Sequence, residues 1–131
     1  MARLVTLHDT DGEIIYPQTV SDMNYSTSEQ DTGCKWIDGR KIYKKTVDCG
    51  TGPNNTSKSV AHGISNLRRV IRLEGYGYDG SSCIPLQFAS TNAPASVQVF
   101  ANSSVVNLTT GVDRSNLTET YVTLWYTKTT D

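Results

Sequence analysis

The 131-residue chain contains only two phenylalanines, two tryptophans, two methionines and two histidines, and it has no long apolar run. A helix that crosses a bilayer needs about 20 consecutive apolar residues, so none is expected here. The opening Met1-Ala2-Arg3-Leu4-Val5-Thr6 lacks the apolar centre of a secretory leader. Charge of a single sign is missing as well: 12 basic and 13 acidic side chains leave a net −1. That balance excludes the global positive field of a nucleic-acid binder and the acidic block of a solvating tail. Three cysteines, Cys34, Cys49 and Cys83, make no CxxC pair, and His8 and His62 stand alone, so no metal-ligand spacing is present. An odd cysteine count without a leader favours free thiols in a reducing cytosol, with a Cys34–Cys49 bridge as the alternative.

Catalytic groups are equally sparse. A nucleophile needs a base within reach, most often histidine. His62, inside Val60-Ala61-His62-Gly63-Ile64, reads as a hydrogen-bonded structural residue. The acids Asp9, Asp11, Glu13, Glu74, Asp79 and Asp113 show no spacing that would bring two of them together over a glycosidic bond. Asp9-Thr10-Asp11-Gly12 lacks the distal glutamate of a calcium loop and reads as turn chemistry. The chain is expected to be non-enzymatic, with no cofactor and no metal.

What the sequence does have is small and polar: 17 Thr, 13 Ser and 8 Asn. These residues sit in short alternating runs between turn signals, and no window sustains helical apolar spacing. The pattern predicts an all-β, antiparallel, jelly-roll-like β-sandwich head at residues 23–131. A short N-terminal β-hairpin arm at residues 1–22 precedes it. In the arm, Leu4–Leu7 and Glu13–Tyr16 flank Asp11-Gly12, and Pro17 ends the ladder. A second hairpin joins Cys34–Ile37 to Arg40–Val47 through Asp38-Gly39. Further strands are expected at 57–64, 67–74, 84–88, 97–100, 105–108 and 119–127. The 84–88 strand lies at an edge, because Pro85 lacks a donor.

Three features have two readings each. In the last strand Tyr121, Thr123 and Trp125 share one face and Val122, Leu124 and Tyr126 the other. Such a strand is either central between two layers or covered by a neighbouring subunit. Residues 35–72 hold nine of the twelve basic residues and two acids, a local +7 against −8 elsewhere. They form either a face for an acidic polymer or a set of basic strands paired with acidic ones. In the glycine-rich stretch Gly75–Ser82, expected to be a loop, Tyr76, Tyr78 and Asp79 either bind a saccharide or pack onto the sandwich end. In the first case the rings cover a sugar's C–H face and the carboxylate accepts its hydroxyls.

Specific stretches also carry a likeness. Ile15-Tyr16-Pro17-Gln18-Thr19, Tyr25-Ser26-Thr27-Ser28-Glu29-Gln30, Gly33 and Trp36-Ile37-Asp38-Gly39-Arg40-Lys41-Ile42-Tyr43-Lys44-Lys45-Thr46 resemble a pattern common in small bacteriophage fibre proteins. The ending Tyr121–Asp131, with Tyr126-Thr127-Lys128-Thr129-Thr130-Asp131, resembles their C-terminus. The likeness spans Ile15–Thr46 and Tyr121–Asp131, and residues 50–118 carry little of it. The resemblance implies a virion protein made in the bacterial host cytoplasm: a homotrimeric fibre or tail-tip head that binds host-surface saccharide, without membrane insertion. It makes Tyr121, Val122, Trp125 and Tyr126 candidates for the trimer interface. It makes Leu4, Leu7, Ile14, Ile15 and Tyr16 candidates for attachment to a larger virion protein. Because Met1 stands almost at the first hairpin, the alternative is a head fibre, capsid or tail decoration, or adaptor that binds no glycan.

Overall fold

Alternate side chains of an extended backbone point to opposite sides, so each short alternating run can bury one face and wet the other. The computed structural model describes residues 24–130 together with the backbone of Leu7–His8 and Ile14–Ile15. Among the described residues, regular structure is strand apart from a 3-10 turn at Ala93–Ala95. β1 (Leu7–His8) runs antiparallel to β2 (Ile14–Ile15), with Leu7 opposite Ile15 and His8 opposite Ile14. The remainder of the expected arm, including Leu4 and Tyr16, lies outside the described residues, as do the side chains of Leu7, Ile14 and Ile15.

Eight further strands form two antiparallel sheets. They are β3 (Gln30–Lys35), β4 (Lys41–Asp48), β5 (Ser57–Ala61), β6 (Leu67–Tyr78), β7 (Cys83–Leu86), β8 (Val97–Ala101), β9 (Val105–Thr110) and β10 (Glu119–Lys128). The large sheet has the order β3-β4-β10-β6-β7 and the small one β5-β9-β8. Val47, Leu86, Val122, Leu124 and Tyr126 of the large sheet meet Val97, Val99, Val106 and Leu108 of the small sheet in one core. The fold is therefore the all-β antiparallel sandwich that the alternation predicts, and β7 with its Pro85 is an edge strand.

Some buried threonines cross-link separate parts of the chain through their hydroxyls. Thr32 Oγ1 donates to the Ile42 carbonyl at 2.7 Å, Thr110 Oγ1 to Val112 at 2.7 Å and Thr120 Oγ1 to Gly50 at 2.6 Å. A second tie joins distant parts of the chain. The Tyr126 hydroxyl donates to Glu29 Oε1 at 2.6 Å, Lys128 Nζ reaches Glu29 Oε2 at 2.8 Å, and Arg40 Nη1 donates to the Lys128 carbonyl at 3.0 Å. The Tyr43 ring stacks on Tyr126 with centroids 6.0 Å apart. Burial, and then the Glu29 carboxylate, hold the Tyr126 phenol far above its ordinary range.

Two local expectations are corrected. The Asp38-Gly39 hairpin has a three-residue loop, Ile37-Asp38-Gly39, because the Trp36 amide donates to the Arg40 carbonyl at 2.9 Å. Gly39, at φ 84°, supplies the left-handed residue that this longer turn needs. The stretch expected to be a loop from Gly75 is strand as far as Tyr78. Its glycines serve close approach: a Cβ on Gly75 would stand 2.5 Å from the Tyr121 carbonyl oxygen, and one on Gly77 2.9 Å from Leu117 Cδ1.

Leu124 is fully buried at the centre of the core. Leu124→Ala should lower the unfolding free energy by about 3 kcal/mol in urea titrations. Gln98→Ala, on the exposed side of β8, should change it by less than about 0.5 kcal/mol.

Candidate functional site

Strand register decides what shares the outer face of the large sheet, the side turned away from the core. Beside Tyr121 of β10 stand Asp48 of β4 and Tyr76 of β6. Beside Thr123 stand Thr46 and Glu74, and beside Trp125 stand Lys44 and Arg72. Glu119 faces Tyr78 at one end, and Thr127 faces Arg69 at the other. The tyrosine half of the face therefore carries Asp48, Glu74 and Glu119, and the tryptophan half carries Lys44, Arg69 and Arg72.

The segment before β3 lies along β4, where the Thr46 amide donates to the Ser26 carbonyl at 2.9 Å. This lays the Tyr25 ring on the face, with Lys44 Nζ 4.3 Å from its centroid and Lys44 only 2% exposed. Tyr25, Thr46, Glu74, Gly75, Tyr76, Tyr121 and Thr123 line an open hollow of about 400 Å³. Tyr76 and Tyr121 form a tilted pair with centroids 5.9 Å apart. The Tyr76 hydroxyl donates to Glu119 Oε1 at 3.1 Å, and Thr46 Oγ1 and Thr123 Oγ1 are hydrogen-bonded at 2.9 Å. Desolvation against the sheet, followed by the Glu119 contact, raises the Tyr76 phenol above its ordinary range.

A second hollow of about 380 Å³ is lined by Thr32, Cys34, Trp36, Ile42, Ile71, Arg72 and Trp125. The Arg72 guanidinium lies 4.3 Å from the Trp125 ring centre and donates from Nε and Nη2 to Glu74 Oε1 at 3.1 and 2.5 Å. This pair forms the ridge between the two hollows. Neither hollow contains a histidine. The first offers what a pyranose needs: aromatic faces for its C–H side, and hydroxyl and carboxylate oxygens for its rim.

The structure brings some of the expected site residues together and separates others. Tyr76 lines the tyrosine hollow, and Tyr78 is on the same face one row further along. Asp79 is a turn residue: its Oδ1 accepts from the Ser81 and Ser82 amides at 2.9 and 2.7 Å, and those bonds hold its carboxyl below the usual range. Tyr121 and Trp125, expected at an interface, are on the outer face. Val122 and Tyr126 are 0% exposed in the protomer's own core and are not interface residues. The two-sided apolar strand is thus central in its own sheet. Tyr25, Trp36, Thr46, Arg72, Glu74 and Thr123 were not anticipated as site residues. The signal for two of them was the every-second-residue series Arg72, Glu74, Tyr76, Tyr78, which is one face of a strand.

The basic segment finds acids within the protomer. Arg40 and Arg68 reach Asp38 at 3.5 and 3.2 Å, Lys41 reaches Asp31 at 3.8 Å, and Arg72 reaches Glu74. His62 is 2% exposed and structural: Nε2 bonds the Asn102 carbonyl at 2.9 Å and Nδ1 accepts from the Ile64 amide at 3.1 Å. Among the described residues, no three His, Cys, Asp or Glu side chains converge as metal ligands. Comparisons of the chain with protein-family models, curated proteins and solved structures find no match.

All three cysteines are free, and Cys34 and Cys83 are exposed while Cys49 is buried. Burial pushes the Cys49 thiol up to about 11. At pH 8 such a thiol is ionised in about one molecule in a thousand. An aromatic disulfide reagent should label Cys83 in the native protein and Cys49 only after denaturant is added, as read by peptide mass spectrometry.

Proposed function

We propose that the protein is a non-enzymatic saccharide-binding head of a bacteriophage fibre, and that the tyrosine hollow on the outer face of its large sheet is the ligand site. The hollow carries this reading. Tyr25, Tyr76 and Tyr121 present aromatic surface beside the hydroxyls of Thr46 and Thr123 and the carboxylate of Glu74. Buried aromatic contact supplies most of the affinity in such a site, and oriented oxygens supply selectivity. The fibre reading rests on the likeness of the two terminal stretches and is supported by their packing. Glu29, Arg40 and Tyr43 of the first contact Tyr126 and Lys128 of the second, so the matched motifs form one cluster.

In this reading three copies assemble through the tryptophan half, with Trp36 and Trp125 covered by a neighbour. Trp36 is 39% exposed and its neighbour Ile37 90%, an unusual apolar surface for a free hairpin tip. Residues 1–22 join the head to a larger virion protein. The head then presents the tyrosine half to the host surface.

Tyr76→Ala and Tyr121→Ala should each weaken binding to host-cell polysaccharide, or to a positive on a glycan array, by about tenfold or more. Unchanged binding would remove the hollow from this role. A wild-type protein that binds no glycan while still incorporating into virions would establish the decoration or adaptor alternative. Light scattering should give a mass three times the 14.4 kDa of one chain. A mass of one chain at micromolar concentration would sink the trimer.

A further inference from the structure

A sheet ends in strands whose outward amides and carbonyls need a partner or a guard. Among the described residues the two sheets of the sandwich end in β3, β7, β5 and β8, and all of these but β5 are guarded. On β3 the amides of Gly33 and Cys34 donate to the strand's own Asp31 Oδ1 and Thr32 Oγ1, at 2.9 and 3.2 Å. On β7 the outward position is held by Pro85, which has no N–H. On β8 Val97 exchanges both backbone bonds with Phe88, and the Val99 amide donates to Gln87 Oε1 at 3.1 Å. β5 is different. The Thr110 amide donates to the Thr56 carbonyl and the His62 amide to the Ser104 carbonyl, so the even-numbered residues bond β9. Ser57, Ser59 and Ala61 therefore turn their backbone groups outward. All three residues are exposed, and among the described residues those groups have no hydrogen-bond partner.

Beside this edge lies a hollow of about 240 Å³, lined by Val60 and Ala61 of β5, Val47 of β4 and Thr27. Thr27 comes shortly after residue 22 in the chain, so whatever residues 1–22 attach to is within reach of the edge. We infer, resting on the attachment role of residues 1–22 above, that the same virion protein adds an extended strand to β5. Main-chain bonds to Ser57, Ser59 and Ala61 supply the affinity, and alternate side chains supply the selectivity. On one face the added strand lies beside Ser57 and Ser59, next to the uncharged Thr109 and Asn107. On the other it lies beside Val60, over the hollow. A strand that alternates serine or threonine with a branched aliphatic residue fits both faces. A second β5 fits less well. Pairing about Ser59 sets Lys58 against Val60 at both ends, and Lys58 is turned inward beside Leu108, with Nζ donating to the Thr51 carbonyl at 2.8 Å. An inward lysine is a device against such self-pairing.

Ser59→Pro removes the central outward amide, as Pro85 does on β7, and breaks no bond to β9. Ser59→Ala keeps that amide. In competition with wild-type protein during particle assembly, Ser59→Pro should enter virions about tenfold less often and Ser59→Ala equally often, with both variants keeping the wild-type circular dichroism. Deuterium uptake over residues 57–61 of the wild type should be slower in the particle than in the isolated head, a readout that needs no variant to fold. Equal incorporation of Ser59→Pro, or equal uptake in the two states, overturns the inference. If deletion of residues 1–22 still abolishes incorporation, the attachment reading stands without it. If neither the deletion nor Ser59→Pro lowers incorporation, or the wild type does not enter virions, both fall together. A mass that doubles with concentration in the wild type and not in Ser59→Pro assigns the edge to a second copy and overturns the virion partner.

Discussion

The last strand of the chain occupies the middle of the large sheet, and the rest of the molecule is arranged around that constraint. β4 and β6 do not pair with each other; each pairs with β10, so the sheet cannot close until residues 119–128 are in place. Val122, Leu124 and Tyr126 then drive their side chains into the core, each fully enclosed. Burial of side chains of this size contributes about 1.5–3 kcal/mol apiece. Because Val122 pairs with Val47 across most of the chain, the sheet is dominated by non-local contacts, which places folding among the slower β topologies. The Glu29 tie acts at the same place: it bonds the hydroxyl of Tyr126 and the ammonium of Lys128, so the segment before β3, already laid along β4, is also clasped to β10.

The same strand organises the outer face. Every residue of the tyrosine hollow except Tyr25 belongs to β4, β6 or β10. The Tyr76–Tyr121 platform is a cross-strand pair, set by register rather than by a loop. The three strands also explain the charge pattern. The basic segment runs through the first halves of β4 and β6, which lie side by side across β10, and the acids Asp48, Glu74 and Glu119 lie toward the other end. On this face the charge is thus divided into two opposed halves, with the Arg72–Glu74 pair at their boundary. Surface pairs of this kind contribute little stability. What they do well is hold a carboxylate at a fixed place beside an aromatic ring.

Much of the fold was legible in the sequence. Alternation and turn residues located seven of the eight strands of the sandwich, and Pro85 identified an edge; the strand expected at Cys34–Ile37 begins four residues earlier, at Gln30, and ends at Lys35. The errors have physical causes. Gly75 and Gly77 carry the signature of a loop, yet here the missing Cβ lets Tyr121 and Leu117 approach the backbone of β6. Asp38-Gly39 suggests a two-residue turn, and Gly39 in the left-handed region makes it a three-residue one. For the hollow, the glycine-rich stretch singled out Tyr76, which lines it. Its partners Tyr121, Thr123, Thr46 and Tyr25 come from strands distant in sequence, and only the register brings them together. Val122 and Tyr126 were misassigned for a related reason: a strand apolar on both faces has the same sequence whether its second layer is a neighbour or its own sandwich.

The two terminal stretches of the chain, which carry the likeness to fibre proteins, and the tyrosine hollow overlap on the same sheet: Tyr25, Thr46, Tyr121 and Thr123 belong to both. Glu29, Arg40, Tyr43, Tyr126 and Lys128 interlock at one end, through bonds that a change on either side would break. Toward the other end, the hollow draws Glu74, Gly75 and Tyr76 from β6, which lies in the part of the chain that carries little of that likeness. Outward side chains there can change without disturbing the core, because alternation separates them from the inward residues Leu73 and Leu124. β10 in turn holds Glu74 and Tyr76 of β6 beside Thr123 and Tyr121.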